Sequence, residues 1–507
     1  NVIMFYDAND IQLSTEVSAV TSEDTAKKYE AWNWHVLTID GNDHDQIRHA
    51  LQAGIDETDR PTLIIGKTTM GKGAKTADGN SFEGQVSTHG QPLSKAGASF
   101  EATIRNLGGD PDHPFQIFPE VAAYIEEVKT RKRLLVENKK KNIQKEAAQN
   151  PEKAEKLRTF LSGKRTEIDW ASIVQKPDVA TRSASATVLS HFADKVENMI
   201  VASADLANSD KTEAFLKKRK AFQKGDFSGA FLQAGVSELT MAALATGMAL
   251  HGGIIPVCAT FFAFSDYMKP AIRVAALMEQ PVIFLWTHDA FRVGEDGPTH
   301  QPVEQEAQIR LLEKLKNHSG NNAFLALRPA DADETTVCWK MAYENQKSPS
   351  GLILSRQNVP TLPAENKTRF EAATEAEKGG YIVQQADQPD VILVGNGSEV
   401  GTLIAGAEKL RAEKGLKVRV VSVPSEGVFR NQPAEWQQAV LPADVPVFGL
   451  TAGLPVTLEG LVGKRGIVAG LDHFGYSAPY TVLDEKFGFT GAHVFRKVCD
   501  FLASLPA

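Results

Sequence analysis

Cysteine is scarce in this 507-residue chain: there are three, Cys258, Cys338 and Cys499. They lie far apart and form no metal-ligand spacing, which excludes a cysteine-built metal centre. Thiols used as core filler in a reducing compartment, the cytoplasm, are expected instead. No run of about 18 apolar residues occurs either, so no membrane-spanning helix is expected. Excess positive charge is also lacking, since 55 Lys and Arg stand against 63 Asp and Glu for a net charge of −8. Non-specific binding to nucleic acid or to anionic membranes is therefore disfavoured. Any phosphate-bearing ligand must be met by local Arg, Lys or backbone N–H groups. No short-period repeat interrupts an otherwise ordinary globular composition of 42% apolar and 23% charged residues.

The length suggests about three or four domains of ~100–200 residues each. Asn1-Val-Ile-Met-Phe-Tyr6 reads as a buried strand with no initiator Met before it, so a fragment whose earlier part is missing is expected. A first section, 1–125, alternates strand signals (36–39, 62–65) with a helical pattern over 45–56, then a polar loop from Gly66 to His89. Residues 126–169 are heavily charged and helical, with a break at Asn150-Pro151, and read as a linker with a solvated face. The next section, 170–365, alternates again: a helix over 183–192, strands at 199–202, 281–286 and 352–355, and a helix from Glu238 to His251 stopped by Gly252-Gly253. A last section, 375–507, carries Val391–Val394, a Gly395-Asn396-Gly397 turn opening a helix, and Val418–Ser422. Such alternation predicts an α/β protein of three domains, with mainly parallel sheets flanked by helices.

The richest stretch is Thr287-His288-Asp289 followed by Gly294 to Pro302, directly after the apolar run 281–286. Open α/β sheets present their chemistry where a strand empties into such a loop. Two His, two Gly and several carboxylates there point to a site in preference to a surface turn, without naming a reaction. Tyr6-Asp7-Ala8-Asn9-Asp10-Ile11 offers the oxygen ligands that Mg²⁺ and Ca²⁺ favour, and is equally a common Asp-rich turn. Ser237 suits an N-cap and Glu238 the first helical turn, a placement the helix dipole explains by itself. Because 239–250 is nearly all apolar, a buried helix is expected, and a carboxylate at its start would hold its proton unusually tightly. Phe261, Phe264 and Tyr267 recur every three residues, as plain core or as a wall for a flat heteroaromatic ligand. Arg182 and Arg356 stand near strand ends, where Arg suits phosphate and surface ion pairs alike. The Gly395-Asn396-Gly397 turn is either an anion site at a helix N-terminus or a simple tight turn.

Taken together and in order, these segments closely resemble transketolase over essentially the whole chain. The resemblance is carried by His89-Gly-Gln-Pro-Leu93, Ser203-Ala-Asp-Leu206, the Thr260–Tyr267 aromatics, Gly294–Pro302 and Leu354-Ser-Arg-Gln-Asn358. It implies thiamine diphosphate and a divalent metal, Mg²⁺ or alternatively Ca²⁺ or Mn²⁺. It also implies transfer of a two-carbon ketol unit between sugar phosphates in the pentose phosphate pathway. By resemblance, 1–125 is the later part of the diphosphate-binding domain, 170–365 the pyrimidine-binding domain and 375–507 the C-terminal domain. Asn9 and the carbonyl of Ile11 would then ligate the metal, while Met70 and His89 would lie beside the cofactor. Glu238 would hydrogen-bond the aminopyrimidine, with Phe264 stacked on it, Phe261 and Tyr267 completing the pocket, and Asp205 and Leu206 nearby. Arg182, Ser209, His288 and Arg356 resemble the substrate-phosphate set. Asp296 and His300 would bind sugar hydroxyls, and His300 and His89 would exchange protons. A homodimer with active sites between subunits is implied in the same way.

Three departures from the family pattern stand out. The Gly-Asp-Gly metal segment and earlier His residues would precede Asn1, which leaves the missing half to a separate or cleaved chain. Ser237 and Leu239 flank Glu238 where many members carry Arg and an aromatic or His, and the 66–89 loop is long. The alternatives are a deoxyxylulose-phosphate synthase, a dihydroxyacetone synthase, or a non-catalytic subunit of the same fold.

Overall fold

The computed structural model describes residues 2–506. They form two compact units that divide between Lys145 and Glu146. The first holds a three-stranded parallel sheet of β1 (Ile3–Ala8), β2 (His35–Asp40) and β3 (Thr62–Lys67), in the order β1-β3-β2. Five consecutive residues of β3, Thr62 to Gly66, are buried, as suits a central strand paired on both sides. The expectation that the first residues form a buried strand is corrected: β1 is an edge strand, and Phe5 and Tyr6 are exposed. The helix His44–Asp56 begins where the Asp43 carboxylate accepts from the Asp45 and Gln46 amides. The charged stretch is helical over Pro119–Gln149, with no buried residue, and over Pro151–Leu161. Between them, Pro151 takes a first-turn position where its missing N–H costs nothing.

In the second unit a six-stranded, wholly parallel sheet runs β5-β4-β6-β7-β9-β8. Its strands are β4 (Met199–Ser203), β5 (Phe231–Gln233), β6 (Ile255–Phe261), β7 (Ile283–Thr287), β8 (Leu325–Leu327) and β9 (Ser350–Leu354). Every residue of β6, β7 and β9 is buried, because helices cover both faces. Phe192 and Trp339 pack on one face and Met241, Ile272 and Phe324 on the other. The chain leaves β4 for β5 on one side and returns to β6 on the other, so a switch point lies beside the ends of β4 and β6.

A five-stranded sheet follows, β10 (Tyr381–Gln384), β11 (Val391–Gly395), β12 (Val418–Ser422), β13 (Val447–Leu450) and β14 (Ile467–Ala469). Its order is β10-β12-β11-β13-β14, parallel except for β10. The helix Glu238–His251 has the bounds its sequence predicts, yet it is not a fully buried helix. Met241, Ala242 and Ala245 face the sheet while Leu239, Leu244 and Leu250 are exposed, since only one side meets β6 and the helix Ser265–Leu277.

Candidate active site

Glu238 opens its helix and is 7% exposed. Its side chain accepts one hydrogen bond, 3.3 Å from the Thr260 hydroxyl at the end of β6. Ser237 precedes it but does not cap the helix with its side chain: the hydroxyl donates backwards, to the Ala234 carbonyl at 2.8 Å. One residue past Thr260 the aromatic series begins. The Phe261 and Phe264 rings stack at 5.9 Å, and Tyr267 follows at 6.1 Å from Phe264, 63% exposed. A continuous ring surface thus starts beside a sheltered carboxylate. His300 turns its ring edge-on to Phe264 at 5.2 Å, with Nδ1 held 2.8 Å from the Thr299 hydroxyl.

His288 follows β7 directly, in the left-handed region at φ 64°. Its ring lies 3.7 Å from that of Phe261, and its Nδ1 is 2.8 Å from the Thr287 hydroxyl. Nε2 faces Arg182 Nη1 at 3.5 Å, and that nitrogen donates to the Ser209 carbonyl at 2.7 Å. Burial, then the neighbouring Arg182 and Arg356 guanidinium groups, drive the His288 pKa down to about 2, so the ring is neutral at working pH. Burial and Arg356 also lower the pKa of Arg182, whose Nε is buried without a partner. Two guanidinium groups repelling one another, with an unused donor between elements, describe a place prepared for an anion.

Asp210 shapes the turn that offers Ser209. Its buried carboxylate accepts from the Ser203 hydroxyl at 2.6 Å and from the Thr212 amide and hydroxyl at 2.9 and 2.7 Å, and desolvation lifts its pKa to about 6. Ser203 in turn accepts from the Leu206 amide at 3.1 Å, which fixes the Asp205-Leu206 corner, where Asp205 has φ 61°. Asp296 stands exposed on the loop before His300. The structure therefore brings Glu238, Phe261, Phe264, His288, His300, Arg182 and Ser209 into one chain of contacts at the sheet's C-terminal edge. Arg356 joins it through charge.

In the first unit, Asn9 Oδ1 accepts from the Ile11 amide at 3.0 Å, and Asp10 between them has φ 62°. Asp7 is tied to the Thr68 hydroxyl. The long 66–89 loop folds on itself: the Gly84 amide donates to the Met70 carbonyl at 2.8 Å, and Glu83 accepts from the Gly73 amide at 2.6 Å. His89, half-buried, ends a short turn over Val86–Thr88. Among the described residues no three His, Cys, Asp or Glu converge as metal ligands. Asn9 and the Ile11 carbonyl supply two oxygens where Mg²⁺ wants about six, so they fit the metal as part of a shell that diphosphate and water would extend.

The sequence singles out Thr260 only as the first residue of the aromatic segment, without its bond to Glu238, and it does not single out Asp210 or Arg328. Asp210 follows Ser209 directly, and an Arg directly after β8 is a signal of the same kind as Arg356 after β9. Arg328 also decides between the two readings of Gly395-Asn396-Gly397. A Cβ on Gly397, which has φ 56°, would stand 2.7 Å from Arg328 Nε, and that guanidinium is already paired with Asp289, Glu306 and Glu399, which favours the tight-turn reading.

Comparison with known proteins matches three family profiles in the order in which the sheets occur. Residues 1–166 match the transketolase thiamine diphosphate binding domain, 177–361 the transketolase pyrimidine binding domain and 379–490 the transketolase-like C-terminal domain. A transketolase of Halalkalibacterium halodurans is 38% identical over 504 residues, covering 98% of this chain and 72% of its own length. The transketolase of Leishmania mexicana superposes with a TM-score of 0.89 at 30% identity, over 100% of this chain and 72% of that one. A transketolase of Pichia stipitis in complex with xylulose 5-phosphate gives 0.87 at 30% identity, over 99% and 72%. Its sequence, its mainly parallel sheets and the residues gathered at their strand ends agree: this chain belongs to the transketolase family.

Proposed function

We propose that the protein moves a two-carbon ketol unit from a ketose phosphate such as xylulose 5-phosphate to an aldose phosphate such as ribose 5-phosphate. One observation carries the substrate class: Arg182, Arg356 and neutral His288 meet beside a ring surface, with an Arg182 donor left without a partner. A phosphate accepts from guanidinium forks and from an imidazole N–H together. Sugar hydroxyls fall to Asp296 and His300 beyond it. His300, whose Nδ1 is engaged by Thr299, keeps Nε2 for proton exchange.

Thiamine diphosphate, when bound, supplies the electron sink for breaking a carbon–carbon bond beside a ketone. Glu238, itself buried, would hold a hydrogen bond to a ring nitrogen of the cofactor. Phe264 offers a stacking face, Phe261 and Tyr267 extend it, and Asp205 and Leu206 border it. Within the first unit, Met70 and His89 are assigned by the family pattern to cofactor binding. Asn9 and the Ile11 carbonyl hold the metal, with Mg²⁺ the first choice over Ca²⁺ or Mn²⁺. The exposed Leu239, Leu244 and Leu250 on the Glu238 helix support a homodimer in which a second copy completes each site. No helix among the described residues is long and apolar enough to cross a membrane, and a cytoplasmic enzyme is in keeping with the unpaired cysteines.

The test is turnover of xylulose 5-phosphate with ribose 5-phosphate by the native protein, supplied with cofactor and Mg²⁺. Transfer supports the assignment. Turnover only with pyruvate or formaldehyde as acceptor would move it to a deoxyxylulose-phosphate or dihydroxyacetone synthase, and none with any acceptor would leave a non-catalytic subunit.

A further inference from the structure

We infer that Asp289 and Arg328 are positioning residues for His288, through which the loop 396–399 at the end of β11 sets the phosphate end of the substrate site; this rests on the transketolase reading of that site. His288 reaches the cationic pocket only because its backbone is left-handed, a conformation a non-glycine residue keeps when its surroundings impose it. On one side it is held by Thr287, the last residue of β7. On the other, the next residue is Asp289, whose Oδ2 accepts from Arg328 Nε at 3.2 Å and Nη2 at 2.7 Å.

Arg328 is itself immobilised from the C-terminal sheet. Its Nη1 donates to Asn396 Oδ1 at 2.8 Å and also reaches Glu306 and Glu399. Its backbone N–H donates to the Pro424 carbonyl at 2.9 Å, while its own carbonyl accepts from the Gly397 amide at 3.1 Å. Gly397 presses on the guanidinium so closely that no side chain fits between them. Every group that fixes Arg328 is thus buried, and its link towards the substrate site is Asp289.

Asp289 bears a cost consistent with a positioning role. Its Oδ1 is buried with no hydrogen-bond partner, so the carboxylate is spent on a single oxygen. A group retained only for stability would gain more from full pairing or from an apolar replacement. What the half-paired carboxylate secures is the direction of the peptide that carries His288.

Asp289→Leu leaves Arg328 paired with Glu306 and Glu399, keeps the side chain's shape and removes the oxygen that accepts from Arg328. In the native holoenzyme we expect it to raise KM for a phosphorylated ketose donor about 10-fold while kcat and the KM for an unphosphorylated ketose stay within about 2-fold. Binding of inorganic phosphate, followed by calorimetry, should weaken by a similar factor. Gly397→Ala, which touches neither substrate nor His288, should show the same donor-selective rise by pushing on Arg328. An equal loss of kcat on both donors would mark the pair as merely structural and overturn the inference, as would unchanged kinetics in Asp289→Leu. If the unaltered protein bound no phosphate and did not distinguish the donors, the assignment of Arg182, Arg356 and His288 would fall, and the inference with it.

Discussion

Two groups of arginines lie within one unit of this protein, and they are built in opposite ways. Arg292, Arg310 and Arg328 are almost wholly buried, and each has carboxylates against it: Glu399 and Asp484, Glu306 and Glu313, and Asp289, Glu306 and Glu399 respectively. Arg182 and Arg356 are half-buried, and neither forms an ion pair with a carboxylate among the described residues. The first group is neutralised by the fold, so its charge is spent on joining one sheet to the next. The second has no carboxylate paired to it; at Arg182 burial and the neighbouring Arg356 disfavour the charge, Asp210 opposes them without an ion pair, and the site is left open to an anion from outside.

The largest way to break this contrast is to remove a neutralised cation. Arg328→Met would strand Asp289 in the interior and leave Glu306 with Arg310 alone and Glu399 with Arg292 alone, and a loss of about 3–5 kcal/mol is expected in denaturant unfolding. A variant as stable as the parent would show the cluster to be less tightly paired than it stands. Arg356→Ala should do the reverse. Unfolding should shift by no more than about 0.5 kcal/mol, because the substitution also relieves repulsion of Arg182. Meanwhile KM for phosphorylated donors should rise by an amount equivalent to about 1.5–3 kcal/mol, with little change for unphosphorylated ones.

A smaller effect sharpens the comparison through pH. Asp210 braces the Ser209 turn, and burial raises its folded pKa to about 6; Glu334, buried elsewhere, is raised to about 7 by desolvation. A carboxyl whose folded pKa exceeds its unfolded value stabilises the fold fully below about pH 4, and that contribution is lost as pH rises through 6 to 7. Asp210→Asn should therefore flatten the fall in stability between pH 4 and 6, by about 1–3 kcal/mol across the window. Identical slopes in variant and parent would mean that Asp210 ionises as freely folded as unfolded.

How much of this was legible in the chain follows from length scale. Strands buried on both faces wrote themselves as apolar runs, and the helix from Glu238 was bounded by its own start and by Gly252-Gly253. β5 and β8 span three residues each, too short for any periodicity to register. The helix Ser265–Leu277 runs through Pro270, which sequence alone marks as a breaker; packing of Met268 and Ile272 in the core holds it. The exposed side of the Glu238 helix was invisible because composition does not say which faces are covered. His288, Arg182 and Arg356 could be named from the order of motifs. Their environment could not, since Arg182 and His288 are 106 positions apart and Asp289 and Arg328 are 39 apart. Pairing at that range is settled only by topology.

The most direct test of the whole account is the transfer rate of Glu238→Ala, measured with thiamine diphosphate, Mg²⁺ and sugar phosphates on protein whose folding and assembly match the parent. The sheltered carboxylate beside the Phe261–Phe264–Tyr267 surface is assigned control of the cofactor's ring, so a fall of about 10²–10⁴-fold in kcat is expected. Transfer at the parental rate would contradict the account.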